Sequence, residues 1–342
     1  MCLVDNTTAF DSVDQLWQHW INDIREYGEP LLSRDGDSRE LIGMSGTLLN
    51  VDRNVVTNSV RKFSPIYAAA EFIWYLAGER HIDRVLAYAP SYARFADEKG
   101  LAHGAYGSRF RQDRAFLEAT RQRDYKEGLS HIDDQISAVC RILKSKSSSR
   151  QAIITIWNGG DLAMAEGGQC KDIPCTLTIQ FLLRKDELHC VVSMRSNDIW
   201  LGTPYDIWCF TSLQKLIAAQ LGVRAGRYTH NVGSLHWYDR NEAKLIDALN
   251  PSVSSASIEY KPHAGKQHDI HPLLTHEVCV AEHRVRNGDF VGLIDTQKML
   301  GQGSLLSDSL ACCASKWNQD AVPLIENQII RSMVIERLKP KE

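Results

Sequence analysis

The run CKDIPCTLTIQF, Cys170 to Phe181, sets Pro174 and Cys175 at the mouth of an apolar/polar alternation that reads as a strand. A proline fixing the backbone beside a cysteine is either packing or a way of holding a nucleophile. The polar turn Lys185–Asp186–Glu187 separates TLTIQFLLR from LHCVVSMRS, a β-hairpin signature. With the turn centred between Lys185 and Asp186, antiparallel pairing sets Cys175 across from Ser196 and beside Arg195. A guanidinium near a thiol favours the reactive thiolate; a buried cysteine beside a surface arginine is the plainer alternative. Glu71 lies in the apolar stretch AAAEFIWYLAG, where burial would raise its pKa and suit it to general acid–base work. Its plainer reading is an exposed helix-surface glutamate. Asp198 closes the run RSND and is either functional or a turn aspartate. Asp206, three residues after Thr203, fits a capping box in a first helical turn. The loop KSKSSSRQ, Lys144 to Gln151, gathers cations and hydroxyls that suit a phosphate or are simply solvated.

The elements that must position these groups mix helix and strand. Asp11 to Tyr27 reads as an amphipathic helix, and Ser64–Pro65 opens one through Ala77, stopped by Gly78. Ile132 to Leu143 is a further helix, Gln151 to Trp157 a buried strand, and Thr203–Pro204 opens a helix to Leu221, ending at Gly222. Leu293 to Leu300 and Ala321 to Leu338 read as helical, without chemistry. This order is not strictly βαβ, so the expected class is α+β. No repeat, linker or low-complexity tract divides the chain, and residues 1–342 are expected to form a single domain. A net charge of −3 argues against a broad nucleic-acid-binding surface. The nine cysteines lack the spacing of a disulfide framework or a zinc site, which fits a reducing cytoplasm and no structural metal. The N-terminus lacks a signal-peptide pattern, and PIYAAAEFIWYLAG is too short to span a bilayer.

Taken together, PCTLTIQF, MRSNDIWLGTPYDIWCFTSLQKLIAAQLG and HNVGSLHWY resemble the thymidylate synthase family, including its hydroxymethylase branch. EFIWYLAG, AYGSRFR and SRQAIITIWN add to the resemblance, which covers roughly residues 40 to 240; residues 250–342 diverge. It implies a mixed β-sheet packed with helices and a homodimer formed through the sheet. It further implies that Cys175 adds to C6 of a pyrimidine nucleoside monophosphate, so that C5 can attack the methylene of 5,10-methylenetetrahydrofolate. Arg195 and Ser196, with Arg150 from a second subunit and Arg39 as a fourth member, would hold the 5′-phosphate. His236 and Tyr238 would meet the sugar, and Asp198 the pterin. Leu201, Gly202, Tyr205 and Tyr92 would complete the folate site. Glu71 would organise water and move protons, and Tyr106 would assist proton removal from C5.

The family's uracil-reading asparagine falls where this chain has Asp206. An amide donates to uracil O4 and accepts from N3–H, whereas cytosine presents an amino donor and a ring acceptor. A carboxyl group sharing one proton with N3 matches cytosine, whereas facing uracil an ionised aspartate would set a carboxylate against O4, a discrimination of about tenfold or better. Methylating members carry tryptophan where Tyr92 aligns, histidine for Thr176, glutamine for Met194 and a short sealing tail, while this chain ends ERLKPKE. Looser exclusion of water favours hydration of the exocyclic methylene. The expected product is 5-hydroxymethyl-dCMP, with CMP as the alternative substrate. Further alternatives are thymidylate synthase or dUMP hydroxymethylase activity, and a non-catalytic nucleotide-binding protein on the same fold. Gln151 stands where methylating members place a second arginine. A DNA cytosine methyltransferase, which shares Pro-Cys, would need a Gly-rich cofactor loop that this sequence lacks.

Overall fold

The computed structural model describes residues 7–33, 36–112, 134–168, 170, 172–250, 257–261 and 272–340. Its frame is a seven-stranded sheet in the order β1-β3-β7-β6-β5-β4, with β2 paired to β3 off this path. The strands are β1 (Thr7–Phe10), β2 (Glu29–Ser33), β3 (Gly36–Leu48), β4 (Ile153–Thr155), β5 (Thr176–Arg184), β6 (Glu187–Asp198) and β7 (Arg224–Tyr238). β1–β3 and β6–β7 are parallel and the other pairs antiparallel, so the class is α+β, as the mixed order of elements implies. The parallel pair β6–β7 is joined by a crossover helix, as parallel strands require.

Helix α1 (Val13–Tyr27) buries Trp17, Trp20 and Ile21 against β3, and its Ser12 N-cap accepts from Gln15 N. Helix α2 (Pro65–Ala77) begins at its Ser64 cap with proline in the first turn and ends at Gly78, whose φ of 71° is the left-handed C-cap that favours glycine. Almost every α2 residue is buried, Glu71 included, so this helix needs partners on all sides. One side packs on the β6–β7 crossover helix. The other is covered by two helices from the C-terminal region, Pro272–Arg286 and Leu305–Ser315. The intervening helices are α3 (Asp83–Leu86), α4 (Tyr106–Gln112), α5 (Gln135–Ser145), α6 (Gly159–Glu166), the long crossover α7 (Thr203–Leu221) and α8 (Glu242–Asp247). The C-terminal region adds α9 (Pro272–Arg286), α10 (Leu293–Leu300), α11 (Leu305–Ser315) and α12 (Gln328–Leu338).

Several boundaries differ from those read in the sequence. The strand expected over Gln151 to Trp157 is reduced to the three residues of β4 at the sheet edge. The helix expected from Ile132 starts after its Asp134 cap; Ile132 itself lies outside the described residues. The expected helix Ala321 to Leu338 is broken: Gln319–Leu324 forms a 3-10 turn containing Pro323, and α12 restarts at the Asn327 cap. Among the described residues no helix is long and apolar enough to cross a membrane.

A buried ion cluster ties the C-terminal helices to the rest. Arg84 of α3 pairs with Glu282 of α9, which is fully buried, with Glu79 at 2.8 Å, and with the Cys279 carbonyl at 3.1 Å. Tyr88 donates to Glu282 at 2.8 Å, and Arg286 reaches it at 3.1 Å. Removing one partner strands a buried charge. Glu282→Ala should therefore lower the unfolding free energy by about 3 kcal/mol, read by urea denaturation. A variant with the parental midpoint would show that α9 is held by its apolar contacts alone.

Candidate active site

The β5–β6 turn places both Lys185 and Asp186 at positive φ, 49° and 61°, as a two-residue hairpin turn of matching twist requires. Pairing then runs in constant register from Arg184↔Glu187 to Thr178↔Ser193, and slips before Thr176↔Met194. The slip brings Cys175 opposite Arg195, not Ser196: Arg195 N donates to Cys175 O at 2.8 Å. The Arg195 side chain folds back over this corner. It donates through Nε to Pro174 O and through Nη2 to Ile173 O, both at 2.9 Å, and Nη2 lies 3.7 Å from Cys175 Sγ. The thiol is nonetheless not activated at rest. Burial pushes it up to about 11, Arg195 opposes this, and the carboxyl groups of Asp206, Asp172 and Asp198 add to it.

Asp206 enters this corner from the first turn of α7. The capping box anticipated for Thr203 and Asp206 does not form; Gly202 is the N-cap and no side chain caps the helix. Thr203 Oγ1 instead donates to Asn197 Oδ1 at 2.6 Å, and Asn197 Nδ2 donates to Asp206 Oδ2 at 2.7 Å. A Cβ on residue 202 would lie 2.9 Å from Asn197 Nδ2 and 3.0 Å from Asp206 Oδ2, so the glycine makes room for this bond. Burial raises the Asp206 carboxyl to about 7; the Asn197 bond works against the shift and the Asp198 charge with it.

Glu71 reaches the same space from α2, whose apolar surroundings leave it 7% exposed. Tyr67 donates to Oε1 at 2.8 Å and Cys209 Sγ lies 3.9 Å from Oε2. Burial first, then the Asp206 charge, push the Glu71 carboxyl up to about 8. Tyr106, at the start of α4, accepts from Thr176 N at 3.3 Å and stacks on Phe210. Burial, Cys175 and Asp206 all raise its phenol. Tyr92 packs edge-on against Trp74, and its phenol is raised by burial and then by Glu71. Cys175, Glu71, Asp206, Tyr106 and Tyr92 thus share one electrostatic neighbourhood.

The remaining expected residues divide. Asp198 Oδ1 accepts from Trp200 N at 2.7 Å and Leu201 N at 3.1 Å, which turns the chain into α7. Parallel pairing sets Ser196 beside Ser234 and Asp198 beside His236, whose ring lies 5.3 Å from that of Tyr238. Tyr205 accepts from Ser64 N at 3.2 Å and stacks on Phe63. Arg39 pairs with Trp237, one position from His236, and so faces the other side of the sheet from that histidine. Arg150 is not brought to Cys175 within the chain. It precedes β4, whose pairing with β5 puts it about 25 Å along the strand from the thiol at ~3.3 Å per residue. There it shares a hollow with Lys146, Ser148, Ser149 and Arg184.

A cleft of about 630 Å³ opens beside Tyr205 and Trp200, lined also by Arg61, Lys62, Lys244, Asp247 and Arg337. Arg61, 7% exposed, lies over Trp200 at 5.2 Å and Tyr205 at 5.0 Å, and its Nε and Nη2 have no hydrogen-bond partner among the described residues. No sequence signal beyond the Arg61–Lys62 pair ahead of α2 marks this cleft. Asn197 was equally invisible, because an asparagine inside RSND carries no mark of its partners.

The family profile described as "Thymidylate synthase" matches residues 15–279. A deoxyuridylate hydroxymethyltransferase of Bacillus phage SP01 is 28% identical over 237 residues, covering 69% of this chain and 60% of that protein. A thymidylate synthase of Buchnera aphidicola subsp. Baizongia pistaciae (strain Bp) is 29% identical over 169 residues, 49% of this chain and 58% of that protein. The chain therefore spans less than two thirds of the length of either relative.

The raised Glu71 carboxyl makes stability depend on pH with a definite sign. The unfolded chain releases this proton near 4.5 and the folded chain near 8, so between those values the folded state holds the extra proton and stability falls as pH rises. Glutamine removes the titration while still accepting from Tyr67. Glu71→Gln should match the parent at pH 4 in urea denaturation and exceed it at pH 8, by on the order of a few kcal/mol. Equal stability at both pH values would show that Glu71 is ionised without cost in the fold.

Proposed function

The chain belongs to the thymidylate synthase family, and from that premise we propose that it transfers a one-carbon unit from 5,10-methylenetetrahydrofolate to C5 of dCMP. Water completes the product, 5-hydroxymethyl-dCMP. The observation that carries this reading is Asp206: a carboxyl group near half-protonation at neutral pH, in the neighbourhood of Cys175, where the family's uracil-reading amide falls. A group that accepts from an amino donor and shares one proton with a ring acceptor matches the cytosine edge.

Cys175 adds to C6, and Arg195 Nη2 stabilises the charge that develops on sulfur as the thiol ionises. The proton shared between Asp206 and N3 draws electrons away from C6 as the sulfur attacks. Tyr106 takes part in removing the C5 proton, and Glu71, an acid with a value of about 8, positions the water and exchanges its proton. Methylenetetrahydrofolate supplies the methylene carbon. Asp198 has Oδ2 left for its pterin, and the cations Arg61, Lys62, Lys244 and Arg337 suit the carboxylates of its glutamate end. Arg195 and Ser196 hold the phosphate, and His236 and Tyr238 the sugar. The distance of Arg150 from Cys175 along β5 supports a homodimer in which each subunit lends this arginine to the other. The sheet face bearing Ile42, 77% exposed, and the half-exposed Ser45, Thr47, Thr229 and Asn231 is the surface for that pairing.

A uracil nucleotide is the second reading, favoured by the similarity to a deoxyuridylate hydroxymethyltransferase. One assay separates the two. Incubation with methylenetetrahydrofolate and dCMP, CMP or dUMP, followed by product mass, should show a gain of CH₂O on dCMP and none in Cys175→Ser. A gain of CH₂ would replace the hydroxymethyl product by methyl, and turnover of dUMP alone would sink the cytosine reading. Asp206→Asn should shift the kcat/KM ratio towards dUMP by about tenfold or more. An unchanged ratio would mean that another group reads the base.

A further inference from the structure

Behind Asp206 runs a buried line of side chains that the proposed chemistry does not use. Asn197 Nδ2 lies 2.7 Å from Asp206 Oδ2, His230 Nε2 lies 3.1 Å from Asn197 Oδ1, and Tyr228 Oη lies 2.6 Å from His230 Nδ1. Tyr228 and His230 are wholly buried, and burial holds the imidazole down to about 3, hence neutral. One ring nitrogen therefore carries the proton. The Tyr228 hydroxyl has no other hydrogen-bond partner among the described residues, so it donates to Nδ1 rather than leave a buried donor unmet. The ring proton is then on Nε2 and is donated to Asn197 Oδ1, which Thr203 also donates to at 2.6 Å. The amide is left with its NH₂ towards Asp206. Oδ2 of that carboxyl is thereby an acceptor, and when Asp206 is protonated its proton sits on Oδ1, which has no hydrogen-bond partner among the described residues.

We propose that Asn197 is a positioning residue for base selection: with its polarity set by Tyr228 through His230, it makes protonated Asp206 a reader of one donor–acceptor order only. The proposal rests on Asp206 being the group that meets the base. A free carboxylic acid is ambiguous, because moving its proton from one oxygen to the other exchanges donor and acceptor. One order suits cytosine and the reverse suits uracil. Asparagine in this position of the line removes the choice, since its NH₂ takes the carbonyl oxygen, the better acceptor of the acid, and leaves the proton to Oδ1.

The test is the ratio of kcat/KM for dCMP and dUMP in the full chain, in Asn197→Leu and in Tyr228→Phe, with folding checked by circular dichroism. The ratio of nucleotide dissociation constants from calorimetry gives the same readout without the folate. We expect the preference to fall about tenfold or more in Asn197→Leu and about threefold in Tyr228→Phe. A lesion that only loosens the site lowers both substrates in proportion, and that result in either folded variant overturns the proposal. Tyr228→Phe differs by one oxygen atom and decides alone should Asn197→Leu fail to fold. A parent that prefers dUMP sinks the cytosine reading but not this one, for the preference must still collapse in the two variants.

Discussion

Two carboxyl groups and a thiol occupy a space where charging any one of them raises the cost of charging the next. Asp206 raises both Glu71 and Cys175, and burial is the leading cause for all three. This shared penalty shapes the structure around it. Glu71 is buried because α2 is covered on both sides, by α7 and by α9 and α11, so α9 and α11 act on the site through α2. Asp206 keeps a value near neutrality because the Asn197 amide offsets part of its burial.

Placement of the chemistry falls to backbone geometry. The β5–β6 turn fixes the pairing, one irregularity next to Thr176 fixes which residue meets Cys175, and parallel pairing with β7 carries His236 alongside Asp198. Glycines permit two of the close approaches. Gly202 leaves room for the Asn197–Asp206 bond, and a Cβ on residue 233 would lie 2.8 Å from Arg195 O. The site is assembled from the residue before β5, the strands β6 and β7, and the helices α2, α4 and α7, each held by contacts of its own.

Much of this was legible in the chain. The hairpin followed from its turn residues and alternation, and α2 from its Ser-Pro start and glycine stop, because these signals are local. What was not legible depends on distant partners. The Thr203–Asp206 pattern pointed to a capping box, but Asn197 competes for both side chains and wins by burial. The slip before Cys175 has no sequence mark. β3 and β7 were missed because their buried and exposed positions lose strict alternation near Gly43 and Gly233. The family match extends over residues 15–279, beyond the stretch covered by the motifs, and at its start it takes in α1, which carries the fold through packing and not through chemistry-bearing residues.

Under the proposed function, the balance of charge in the site also accounts for how an anionic substrate would be tolerated beside so many acids. At neutral pH, values of about 11 for Cys175, about 8 for Glu71 and about 7 for Asp206 leave the thiol neutral, Glu71 mostly protonated and Asp206 near half-charged. At their ordinary values Glu71 and Asp206 would be ionised, and they would oppose a nucleotide phosphate by about 2–3 kcal/mol for each unit charge within 6–8 Å at an effective dielectric of about 20. Burial therefore does two things at once. It keeps protons on the groups that the proposed chemistry has exchange them, and it removes the repulsion that the carboxylates would otherwise exert on the proposed ligand.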